Sequence, residues 1–174
     1  VRETLRVVVM GVAGCGKSEV GQRLAQLLGV PLIEGDAFHP PANVAKMREG
    51  LPLTDADRAG WLALLGAQLA AANTAVLTCS ALKQQYRDTL RAAAAGVRFV
   101  FLRIDQTTAQ ARVAARADHF YPVSLVASQF ATLQDPGAEA GVLALDATLP
   151  PQQLAHTAAA WLRNANTQEV LHAD

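Results

Sequence analysis

Residues 5–28 constrain this chain more tightly than any other stretch. Leu5-Arg6-Val7-Val8-Val9-Met10 is an apolar, β-branched run that reads as a buried strand. Gly11-Val12-Ala13-Gly14-Cys15-Gly16-Lys17-Ser18 follows and spells G-x-x-x-x-G-K-S; Val20, Leu24, Leu27 and Leu28 then recur at helical spacing up to Gly29. Strand, glycine loop, helix is the order in which such a loop cradles a polyphosphate. Glycines let backbone N–H groups close on phosphate oxygens. The helix that starts there adds roughly half a positive charge at its first turn. In that setting Lys17 reaches the β- and γ-phosphates and the Ser18 hydroxyl ligates Mg²⁺. The spacing therefore predicts an ATP site over Gly11, Val12, Ala13, Gly14, Cys15, Gly16, Lys17 and Ser18.

The rest of the chain alternates apolar runs with helical patterns. Strands are expected at Pro31–Ile33, Ala75–Ser80, Arg98–Ile104 and Val142–Leu145. Between them, helices are expected from Pro41 to Met47, from Thr54 or Asp55 through Leu69, over Leu82–Ala94, Thr107–Arg116 and Leu125–Leu133, and finally Pro151–Leu162, with a polar tail from Asn164. That alternation predicts an α/β fold of the P-loop NTPase type: a five-stranded parallel sheet with helices on both faces, in one domain over 1–174. Asp118-His119-Phe120-Tyr121-Pro122 interrupts the pattern and reads as part of a mobile lid over about 112–124.

Composition narrows the function classes. Lys plus Arg and Asp plus Glu are 15 each, so net charge gives no footprint for nucleic acid. Between Lys83 and Arg116, however, seven basic residues face only Asp88 and Asp105, an excess expected to meet anions. Cys15 and Cys79 are far apart with no C-x-x-C neighbour, which disfavours disulfide or zinc and suggests a cytoplasmic setting. No apolar run has the length of a membrane span and no secretory-signal pattern is seen.

In a sheet of this kind ligands gather beyond the C-terminal strand ends. Asp36 stands just past the second strand, expected on the far side of the phosphate loop, where a carboxylate can take the proton of an attacking hydroxyl; Glu34, two residues earlier, is placed to hold Mg²⁺ through water. Asp105 after strand four imitates a Walker-B carboxylate, but Gln106 follows where motor ATPases carry a glutamate, and N-K-x-D is missing. A small kinase fits better than a motor or a switch. Arg112 and Arg116, one turn apart before the His119 loop, suit a lid that offsets charge on the transferred phosphoryl group. Arg116 thus joins Asp36 and Lys17 as a catalytic candidate, and both arginines join the ATP-binding set.

Further motifs resemble one family. Gly35-Asp36-Ala37-Phe38-His39-Pro40, Asn43-Val44-Ala45-Lys46-Met47, Gly50-Leu51-Pro52-Leu53-Thr54-Asp55-Ala56-Asp57-Arg58, Cys79-Ser80-Ala81-Leu82-Lys83, Tyr86-Arg87-Asp88, His119-Phe120 and Ser128-Gln129-Phe130 are similar to gluconate kinases (gluconokinases), P-loop small-molecule kinases related to shikimate kinase. The similarity runs from Val7 to Leu154, with departures at Asp118 and Tyr121-Pro122-Val123. It implies ATP-dependent phosphorylation of D-gluconate at O6, Mg²⁺, and a homodimer. Asp36 would be the base, and Arg58, Lys83 and Arg87 would bind the sugar acid. His39, Ser80, His119 and Gln129 would meet its hydroxyls. Three of these also have a plain structural use, His39 as a brace for Pro40, Ser80 as a helix cap and Gln129 on a helix surface; His119 is left open between the two, and Trp61 and Met47 are expected in the core. A shikimate- or nucleoside-monophosphate-type kinase, or a non-catalytic ATP-binding module, is the competing function.

Overall fold

The computed structural model describes residues 4–116 and 121–171, with side chains as far as Asn166. His119, Asp118 and Phe120 lie outside the described residues. Five strands, β1 (Leu5–Met10), β2 (Leu32–Glu34), β3 (Thr74–Thr78), β4 (Arg98–Arg103) and β5 (Val142–Asp146), form one sheet in the order β2-β3-β1-β4-β5, every pair parallel. Seven helices connect them: α1 (Lys17–Leu28), α2 (Pro41–Arg48), α3 (Asp55–Ala72), α4 (Gln84–Ala93), α5 (Gln106–Ala115), α6 (Ser124–Thr132) and α7 (Pro151–Leu171).

Strand side chains alternate between faces, so one strand feeds two cores. Val7 and Val9 pack with Val20 and Leu24 of α1 and with Ala155, Ala158 and Leu162 of α7. Val8 and Met10 pack with Trp61, Leu62, Leu65 and Leu69 of α3 and with Tyr86 and Leu90 of α4. Each large apolar side chain buried this way contributes roughly 2 kcal/mol against exposure. Both helix layers are therefore pinned to the central strand that carries the phosphate loop.

Helix ends follow local chemistry. Gly29 takes the left-handed conformation that closes α1, its N–H bonded to the Ala25 and Gln26 carbonyls. Thr54 opens α3 with a capping box: its hydroxyl accepts from Asp57 N at 3.1 Å, and the Asp57 carboxylate accepts from Thr54 N at 2.9 Å.

Several expectations change. β3, not β2, is the neighbour of β1, so the loop and Asp36 do not hang from adjacent strands. Asp105 does not imitate a Walker-B carboxylate; it caps α5, accepting from the Thr108 amide at 2.8 Å and hydroxyl at 2.7 Å. The chain beyond Asn164 stays helical to Leu171, held at Asn166 by Arg98 Nη1 at 2.7 Å. The basic excess is largely neutralised within the fold: Arg91 pairs with Asp88 and Glu139, and Arg103 with Asp135.

Candidate active site

The phosphate loop is shaped by close approach. Gly14 has φ +85°, and a Cβ there would lie 2.7 Å from the Ala109 carbonyl, so only glycine lets the loop lean on α5. Arg112 of α5 fastens the contact, donating to Gly14 O at 3.3 Å and to Ala147 O at 3.1 Å. Lys17 Nζ rests on the Gly11 and Val12 carbonyls at 3.0 and 3.2 Å. Gln129 of α6 accepts from the Ala13 amide at 2.6 Å. Val12 and Cys15 are buried in the core, with the Cys15 sulfur 3.9 Å from Lys17 Nζ.

Glu34 ends β2 in register with Thr78 of β3. Its Oε2 accepts from Thr78 Oγ1 at 2.5 Å and from Ser18 Oγ at 3.2 Å. The two strands come this close because residue 35 is glycine; a Cβ there would meet Thr78 O at 2.1 Å. An oxygen-only pair, one carboxylate and one hydroxyl, suits a small hard cation that keeps water and phosphate oxygens for its other positions. No group of three or more His, Cys, Asp or Glu able to hold a metal occurs among the described residues.

After β2 a single 3₁₀ turn, Gly35–Phe38, carries Asp36. Its carboxylate is 84 % exposed and lines a cavity of about 220 Å³. His39 Nε2 sits 3.8 Å from Asp36 Oδ1. The ring cannot turn away, because it is stacked on Trp61, whose Nε1 donates to Gly35 O at 2.8 Å. Asn43 sets the tautomer. Its Nδ2 donates to Asp57 O at 2.9 Å, which fixes the amide, and the second hydrogen goes to His39 Nδ1 at 3.3 Å. The ring proton is therefore on Nε2, toward Asp36. Burial pushes this imidazole below its ordinary value of 6.5, against the pull of Asp36 and with the push of Arg58.

Arg58 of α3 is only 8 % exposed and lines the same cavity. Its Nη1 donates to Leu53 O at 2.8 Å and to Tyr86 Oη at 3.2 Å. Tyr86 in turn donates to Asp55, which also accepts from Lys83 at 2.9 Å. Those bonds hold the Asp55 carboxyl below the usual carboxylate range and leave Lys83 raised.

Asp36, Lys17, Ser18, His39, Arg58, Ser80, Arg116 and Gln129 all line this one cavity. Lys83 does not; it is spent on Asp55. Nor does Arg87, which the local basic excess and the resemblance both aim at an anion: it is 0 % exposed and paired with Glu139. Ser80 is not a helix cap, since Lys83 takes the N-cap position of α4. Trp61 and Met47 belong to the core and also form cavity wall. Arg112 lies within α5 and faces a second cavity with Arg116, Cys15, Gly16, Ala147, Leu149 and Pro151. Three participants escaped the sequence: Asn43, Thr78 and Tyr121. Thr78 needs the β2–β3 register to be seen. Tyr121 lines the cavity with its phenol pushed up to about 12 by burial, so it remains a donor.

The profile of the AAA domain family matches residues 7–136. A gluconokinase of Gluconobacter oxydans (strain 621H) is 52% identical over 143 residues, 79% of each chain. The thermoresistant gluconokinase of Escherichia coli (strain K12) is 42% identical over 82% of this chain and 85% of that one. Among solved structures, a gluconokinase from Sinorhizobium meliloti 1021 superposes with a TM-score of 0.91 at 43% identity, covering 100% of both chains. A shikimate kinase from Aquifex aeolicus, at 17% identity over 94% of this chain and 98% of that one, shares the fold with a TM-score of 0.62.

Proposed function

The chain belongs to the gluconokinase family, and we propose that its main cavity transfers the γ-phosphoryl group of ATP to O6 of D-gluconate, giving 6-phospho-D-gluconate and ADP. What supports this reading is one observation: the phosphate-loop residues Lys17 and Ser18 and the carboxylate of Asp36 line a single cavity.

Asp36 takes the O6 proton as that oxygen attacks the γ-phosphorus and the bond to the β-phosphate breaks. His39 presents its Nε2 proton toward that carboxylate from 3.8 Å. Lys17 and Arg116 offset charge on the transferred group. Arg58, pre-set by Leu53 O and Tyr86, is the guanidinium for the substrate carboxylate. Ser80 and Gln129 serve its hydroxyls. ATP lays its phosphates along Gly11–Ser18 and its nucleoside in the second cavity, between Arg112 and Pro151. Ser18 and Glu34 are the oxygen donors for Mg²⁺, which when bound neutralises charge on the phosphates.

We place this reaction in the cytoplasm and in a homodimer; no helix among the described residues is long and apolar enough to cross a membrane. A coupled ADP assay over gluconate, shikimate and nucleoside monophosphates tests the substrate. ADP release with gluconate alone is expected. Release with shikimate or a nucleotide instead, or with none of them, overturns the assignment.

A further inference from the structure

Arg87 is buried, charged and outside the cavity, and all five of its N–H donors are spoken for. Nε donates to Glu139 Oε1 at 3.0 Å, and Nη2 to Glu139 Oε2 at 2.5 Å and Gln134 O at 2.9 Å. Nη1 donates to Ala81 O at 2.8 Å and Leu82 O at 3.1 Å. Ala81 is one of two non-glycine residues with positive φ among those described, at +46°. An alanine holds that conformation only where its surroundings impose it.

The carbonyls on either side of Ala81 show what imposes it. The one before, of Ser80, accepts from the Gly11 amide at 3.3 Å, at the start of the phosphate loop. The one after, of Ala81 itself, accepts from Arg87. The left-handed residue is the joint that lets consecutive carbonyls reach opposite anchors, and the side chain just before that joint is that of Ser80, in the cavity wall. Leu82 O is tied down a second time by the Gln134 amide at 2.8 Å. A guanidinium this deep needs a counter-charge, and Glu139 supplies it.

We infer that Arg87 is a positioning residue for the sugar acid: with Glu139 it clamps the Ala81 turn and so sets the Ser80 hydroxyl where the substrate meets it. This rests on the gluconate reading above. The clamped turn meets the phosphate loop only at its first amide, Gly11; further along, the loop is held by Gln129 at Ala13 and by the close approach of Gly14 to α5, so the clamp acts chiefly on the sugar acid.

The test is steady-state kinetics on the full chain. Arg87→Met should raise KM for gluconate about tenfold while KM for ATP stays within about twofold. Arg87→Lys should fail to restore it, because an ammonium cannot span the same five acceptor contacts. Ser80→Ala should give a similar shift, and Ser80→Ala with Arg87→Met no more than either alone, since both act through one hydroxyl. If Arg87→Met does not fold, Glu139→Gln reads the same clamp and should move the same KM in the same direction. Unchanged gluconate KM in the folded variants, or multiplying effects in the double variant, would overturn the assignment while the function stands. Absence of gluconate turnover by the unaltered enzyme would overturn both.

Discussion

The imidazole of His39 lies flat on the indole of Trp61, ring centroids 4.1 Å apart and planes 15° from parallel. The stack, with the Asn43 bond at its other edge, leaves Nε2 facing Asp36. It also makes the neutral ring part of the fold. Burial lowers the folded pKa below 6.5, so the unfolded chain takes up the proton first. The stability carried by His39 is therefore complete above 6.5 and drains away as pH falls through the folded value. Thermal melts from about pH 8 to about pH 5 should show the wild type losing more Tm than His39→Gln. Parallel curves would mean that the ring is not buried neutral.

Thr54 holds the first turn of α3, the helix that carries Arg58 and Trp61. Thr54→Ala removes the acceptor for Asp57 N and should cost about 1 kcal/mol of unfolding free energy. Urea denaturation reads this directly, as a lower midpoint with the slope unchanged. A loss of a few tenths or less would mean that the box contributes nothing net.

Ser18 and Glu34 share one oxygen contact at the mouth of the phosphate loop. Glu34→Gln should raise the Mg²⁺ concentration for half-maximal rate about tenfold at fixed ATP. Titrating the metal in the ADP assay measures it. An unaltered Mg²⁺ requirement removes Glu34 from the metal site.

Arg112 joins the loop at Gly14 to the segment after β5 at Ala147. Arg112→Ala should raise KM for ATP and leave KM for gluconate near its wild-type value, because the residue lines the second cavity. The reverse pattern would put the nucleoside elsewhere.

Fold class was legible because period and punctuation agreed: the apolar run before Gly11, the helical spacing after it, and Gly29, Thr54 and Pro41 at helix ends. Strand order was not, since nothing local in Leu32–Glu34 tells whether it lies beside β1 or one strand away. The loop, Asp36 and Arg58 were legible as residue types at strand and helix ends. Arg87 misled for a physical reason. The local basic excess and the resemblance aimed its guanidinium at an anion in the site, but its partner Glu139 is 52 residues away and visible only once α6 and β5 have folded back. Lys83 misled in the same way through Asp55. Asn43 and Thr78 act entirely through other side chains, and such roles leave no mark on spacing.

Asp36→Asn, assayed for ADP release on gluconate with ATP binding measured in parallel, tests the shared cavity most directly. The substitution keeps size and shape and removes the proton acceptor. ATP affinity should be unchanged and turnover should fall by about 10²-fold or more. Near-normal turnover on gluconate with ATP bound would contradict the assignment of Asp36 as the base.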